Sequence, residues 1–123
     1  MGMTPDETVT RYCLAWDEPD AERRRAILAE VWAEDGRYTD PTVDLSGVEA
    51  LVAHIGRVQE TYPGSHIERL SAVDLHHDVL RFTWRRVLAD GQPRPDGIDF
   101  GALAPDGKLA LIVGFFGPVN PQA

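Results

Sequence analysis

Val79-Leu80-Arg81-Phe82-Thr83-Trp84-Arg85 alternates large apolar and polar residues with a period of two, the spacing of a strand buried on one face only. Leu80, Phe82 and Trp84 share one side, and Arg81, Thr83 and Arg85 share the other. Three helical patterns precede this strand, and further strands flank it. The expectation is an α+β domain in which helices cover the aromatic side of an antiparallel sheet.

Strands are expected over 66–75, 79–89, 98–104 and 109–116. The breaks between them are turn signals: His76-His77-Asp78, then Asp90-Gly91 with Pro93 and Pro95, then Asp106-Gly107. The last strand differs from the others. Ala110, Ile112, Gly114 and Phe116 form one face, while Leu109, Leu111, Val113 and Phe115 make the opposite face apolar as well. A strand apolar on both sides needs cover on both sides, so a homodimer through the outer sheet face is expected.

Upstream, Thr4-Pro5-Asp6-Glu7 reads as a helix start with a capping box and proline at the first helical position. Val9, Tyr12, Cys13 and Trp16 then recur on one helical face. Pro19 ends that helix, and Asp20 caps a second with Ile27, Leu28, Val31 and Trp32 as its buried stripe and Asp35-Gly36 as its end. Ser46-Gly47-Val48-Glu49 reads as another capping box. It opens a third helix marked by Val48, Leu51, Val52, Ile55 and Val58, which Pro63-Gly64 closes.

With 123 residues, the chain suits a single domain over residues 1–123, without repeats or linkers. Twenty acids against twelve bases give a net charge of −8, which argues against nucleic acid or anionic membranes as partners. The one basic run, Arg23-Arg24-Arg25, reads as a solvated helix face. A lone cysteine, Cys13, and a start without a basic or apolar segment point to the cytoplasm. His76 and His77 fall at a turn, without ligands at metal-site spacing, so neither a metal nor a cofactor is expected.

Asp40, presented before Pro41, is the first candidate for chemistry, and an ordinary turn former is its alternative. Tyr12 and Trp16 come from the first helix. Asp99 lies on the third strand opposite Ile98 and Phe100, with a surface position as its alternative. A curled sheet would bring these groups into an apolar cavity with Trp32, Tyr38, Phe82, Trp84, Ile112 and Phe116. His54, at the edge of the third helix's stripe, is a further candidate, with a structural or solvated place as its alternative. Two carboxyls and a phenol in apolar surroundings suit proton transfer beside a carbonyl, because burial keeps one acid neutral while another acts as base.

Several local patterns then carry a resemblance: Arg11-Tyr12, Val31-Trp32-Ala33-Glu34-Asp35, Tyr38-Thr39-Asp40-Pro41, Ser46-Gly47, Gly91-Gln92-Pro93, Ile98-Asp99-Phe100 and Asp106-Gly107-Lys108. Together with the element order, they resemble the nuclear transport factor 2-like superfamily, in its SnoaL-like polyketide cyclase and ketosteroid isomerase-like branch. The resemblance implies a cone-like, strongly curved sheet with three helices on its concave face, a cystatin-like α+β barrel. It also implies Asp40 as general base, Tyr12 as phenolic donor and Asp99 as a protonated acid holding an enolate oxygen. The activity so implied is cofactor-independent isomerisation or cyclisation of a small hydrophobic carbonyl compound. A non-catalytic ligand-binding module of the same fold is the alternative. An epoxide hydrolase using Asp40, Arg86 and Asp99 is another, although the strand reading sets Arg86 at the rim.

Overall fold

A computed structural model describes residues 2–122. Helices α1 (Pro5–Asp17) and α2 (Ala21–Val31) lead into strands β1 (Trp32–Asp40) and β2 (Val43–Ser46). Helix α3 (Val48–Thr61) follows, and then β3 (His66–Arg69), β4 (Asp74–His76), β5 (Val79–Val87), β6 (Gly97–Leu103) and β7 (Leu109–Phe116). The expected α+β class holds. The strand expected over 66–75 is two short strands, β3 and β4, both paired to β5.

Helix starts follow from side chains that satisfy free backbone N–H groups. At α1 the reciprocal Thr4 and Glu7 bonds form the expected capping box, and Asp20 caps α2 by accepting from Glu22 N. The box expected at Ser46-Gly47-Val48-Glu49 does not form. Ser46 belongs to β2, and Gly47 is the cap, at φ +93° and without a side-chain bond. The chain needs a left-handed residue there to turn from strand into helix.

Two readings of α2 are corrected. It ends at Val31, and Trp32 already has extended backbone as the first residue of β1, so Asp35-Gly36 lies inside a strand. A tryptophan's bulk fits either element, and tertiary packing decides between them. Arg24 is not solvated. It is 3% exposed, and its guanidinium donates to the carbonyls of Glu18, Pro19 and Val52 and to Gln59 Oε1. This arginine fastens α2 to α3 and to the α1–α2 corner.

The sheet runs β2-β1-β7-β6-β5-β3, with β4 also on β5. Every pairing is antiparallel except β1 with β7, which is parallel, so the sheet is mixed. Register shifts between Trp32 and Arg37 and between Ala102 and Leu103 interrupt the ladders. Such shifts bend a sheet, and this one curves over the helices. Its inner face packs Leu80, Phe82, Leu109 and Ile112 against Val9, Leu28, Val31, Leu51, Val52 and Ile55. At roughly 1.5–3 kcal/mol for each large buried apolar side chain, this layer supplies most of the driving force for folding.

The outer face of β6 and β7 carries an apolar ladder made of Ile98 beside Phe115, Phe100 beside Val113, and Ala102 beside Leu111. Phe100 and Phe115 are 41% and 54% exposed and meet edge to face. Among the described residues, no helix is long and apolar enough to cross a membrane.

Candidate functional site

Between the helices and the curved sheet lies a cavity of about 290 Å³. Its lining includes Tyr12, Trp16, Tyr38, Asp40, His54, Phe82, Trp84, Asp99 and Phe116, so most of the expected site residues meet there. Phe116 stands at the mouth, 47% exposed and edge-on to Trp84.

Trp32 and Ile112, expected as cavity residues, do not line it. Trp32 lies behind Tyr12, its ring stacked at 5.7 Å, with Nε1 donating to Gly36 O at 3.2 Å. Ile112 is fully buried in the core, over Gly101, where no Cβ would fit. Both are too deep to reach a ligand.

Asp40 ends β1, and its two carboxylate oxygens have separate tasks. Oδ1 accepts from Thr42 N at 2.7 Å, Thr42 Oγ1 at 2.6 Å and Val43 N at 3.2 Å, which closes the turn through Pro41 into β2. Oδ2 accepts from Tyr38 O–H at 2.5 Å. Tyr38 is two residues earlier on the same strand, hence on the same face. Oδ1 is thus taken up by the turn, while Oδ2 accepts from Tyr38 alone and Asp40 lines the cavity.

His54 is not solvated. It is 5% exposed and packs against the Trp16 and Tyr38 rings, and its Nε2 stands 4.0 Å from Asp40 Oδ2 without a hydrogen-bond partner. Burial holds its imidazole below the ordinary range, with the Asp40 charge pulling the other way. The ring is neutral at pH 7.

Asp99 is 5% exposed. Burial pushes its carboxyl up to about 7, with a smaller contribution from the Asp40 charge, against the opposing pull of Trp84 Nε1, which donates to Oδ1 at 2.9 Å. Asp40 and Asp99 sit on strands either side of β7, with backbones roughly 10 Å apart. Gly114 lies between them. A Cβ there would stand 3.0 Å from Asp99 Oδ1 and 3.5 Å from Asp40 Cβ, so the space between the two acids depends on a glycine.

Tyr12 is 2% exposed, and its hydroxyl has no hydrogen-bond partner. Burial, and after it the charge of Asp99, raises its pKa well above the phenolic range, so it stays a donor. Burial also pushes the Cys13 thiol up to about 12, which leaves no thiolate for nucleophilic work.

Sequence reasoning missed Tyr62, Ile67, Arg86 and Arg94 in this lining, and one of them by an error of parity. Arg86 is an even-numbered residue of β5 and shares the face of Leu80, Phe82 and Trp84. It is 7% exposed, an inner-wall residue and not a rim residue. Its charge invites an outward assignment, and the strand's period of two overrules that. Tyr62 and Arg94 lie outside helix and strand, where no periodicity marks them. Among the described residues, no group of three or more His, Cys, Asp or Glu side chains is arranged to hold a metal ion.

The sequence matches the SnoaL-like domain over residues 9–112. No curated protein matches it. Among solved structures, it is similar to a presumed isomerase of the SnoaL-like family from Agrobacterium tumefaciens, with 32% identity, 94% of this chain and 100% of that one covered, and a TM-score of 0.87. An NTF2-like protein of unknown function from an Exiguobacterium species is 19% identical over 91% of this chain and 99% of its own, with a TM-score of 0.72. A presumed SnoaL-like polyketide cyclase from a Jannaschia species is 18% identical over 94% and 90%, with a TM-score of 0.67. The chain belongs to the SnoaL-like domain family.

Proposed function

We propose that this protein is a cofactor-independent acid-base enzyme, an isomerase or cyclase of small hydrophobic carbonyl compounds. The observation that carries this reading is a pair of donors lacking an acceptor in an apolar cavity: the unpartnered Tyr12 hydroxyl, and a buried Asp99 that is protonated below about pH 7. A ligand carbonyl oxygen completes both.

In the reaction, Asp40 Oδ2 removes a proton from the carbon next to that carbonyl. The C–H electrons move to oxygen, and Tyr12 and Asp99 hydrogen-bond the enolate as it forms. An isomerase returns the proton at another carbon. A cyclase instead lets the enolate carbon attack a second carbonyl of the same substrate, forming a C–C bond and an alkoxide that takes the proton back. Epoxide hydrolysis is disfavoured, because among the described residues Arg86 is hydrogen-bonded to Ser65 and ion-paired with neither Asp40 nor Asp99. A second copy of the chain, docked on the Phe100 and Phe115 ladder, belongs to the same proposal.

Deuterium uptake from solvent into cyclohexenone or tetralone tests it. Wild-type protein should accelerate exchange, and Asp40→Asn should lose about 10²–10⁴-fold of that rate with ligand affinity kept. Equal rates in the two proteins would remove Asp40 as the base. Intact binding without exchange in either would favour a binding module.

A further inference from the structure

Arg86 is a buried cation without an anion. Its side chain donates to Ser65 Oγ at 2.8 Å, and among the described residues it makes no ion pair. Burial lowers its pKa, with Asp17 the foremost opposing charge, and Asp17 Oδ1 already accepts from Ile67 N. Most other arginines of this acidic chain are spoken for, among them Arg25 with Glu22 and Glu49, Arg37 with Asp44, and Arg85 with Glu68. Arg94, which likewise makes no ion pair among the described residues, also lines the cavity. The two guanidinium carbons lie 5.5 Å (Arg86) and 5.4 Å (Arg94) from the centre of the Tyr62 ring, so both cations stand beside one tyrosine of the lining.

No nitrogen of Arg86 is both buried and unpartnered, so the N–H groups not given to Ser65 open to the cavity it lines, and a guanidinium's planar fork fits a carboxylate. We infer that the ligand is a hydrophobic carboxylate, with its head on Arg86 and Arg94 and its reacting carbon between Asp40 and the Tyr12–Asp99 pair. This inference rests on the acid-base reading of the same cavity. A single negative charge suits the site better than a phosphate dianion, since Asp40 and Asp99 line the same walls. Arg86 lies four residues along β5 from Phe82, the residue paired with Asp99, so roughly 13 Å of strand separates their backbones.

Calorimetric titration of the full chain with phenylbutyrate and phenylhexanoate, each against its primary amide, tests this. The acids should bind at least about tenfold more tightly than the amides, and added salt should shrink the difference. Arg86→Gln should abolish the preference, Arg94→Gln should reduce it, and Arg86→Lys should keep part of it. Arg94 is exposed, so its variant reports on binding even if Arg86→Gln fails to fold. Amides binding as well as acids, a preference surviving both glutamine variants, or no binding of either acid at millimolar concentration would each overturn the inference. Asp40→Asn separates the two readings. If the acid preference is absent while Asp40-dependent exchange persists, the carboxylate falls and the acid-base reading stands; the reverse pattern sinks only the acid-base reading.

Discussion

Replacing Asp99 by asparagine keeps the side chain's shape and its acceptor for Trp84 Nε1 but removes its ability to ionise. In the folded protein, burial pushes the Asp99 carboxyl from its ordinary 3.8 up to about 7. Between those values the native state holds a proton that the unfolded chain has released. Stability changes with pH in proportion to protons bound by the unfolded state minus those bound by the native state. That difference is negative here, so stability falls as pH rises from about 4 to about 7 and then levels off. At about 1.4 kcal/mol per pH unit over roughly three units, the loss approaches about 4 kcal/mol. The neutral amide carries no such penalty. The variant should match the wild type near pH 4 and exceed it by up to about 4 kcal/mol near pH 8, in urea unfolding followed across that range. Carboxyl-carbon NMR reads the same ionisation directly. Parallel stability curves, or an Asp99 resonance titrating near 3.8, would refute the reasoning and remove Asp99 as the neutral donor. Wild-type turnover should decline above about pH 7, as the donor is lost.

Two further outcomes are expected. Arg24→Leu strands buried carbonyls, including that of Val52, and should cost on the order of 3 kcal/mol in urea unfolding; a loss below about 0.5 kcal/mol would show that the arginine is not a structural tie. Light scattering at micromolar concentration should give a dimer for the wild type and a monomer for Phe115→Glu, with little change in melting temperature because Phe115 is 54% exposed in the single chain. A monomeric wild type would remove the second copy.

The architecture was legible because apolar periodicity survives wherever one face of an element is buried. The Leu80–Phe82–Trp84 alternation placed the helices on the correct side of the sheet, and Asp99 read correctly because Ile98 and Phe100 flank it. Periodicity speaks only for apolar residues, however. Arg24 and Arg86 obey the same spacings as their apolar neighbours, yet their charge suggested solvent, and only the carbonyls and cavity around them explain their burial. The parallel pairing of β1 with β7 joins segments at opposite ends of the chain, and no local signal encodes it. The Ser46 box and the end of α2 failed for a related reason. In both, strand pairing claimed residues that local chemistry assigned to a helix.

The shared duty of the Asp40 carboxylate bears on how this family is read. One of its oxygens closes the chain reversal into β2, independently of any ligand. A relative with no catalytic role would still gain by keeping an aspartate before the proline, so its presence in a relative reports on folding as much as on chemistry. Asp99 has a structural contact too, accepting from Trp84 Nε1, but an asparagine would supply the same acceptor. On the proposed reaction, what only the acid supplies is its proton, and because its burial lowers stability at neutral pH, drift would replace it once that reaction ceased to matter. Among related chains, an acid at this second position is therefore the more informative fossil of activity.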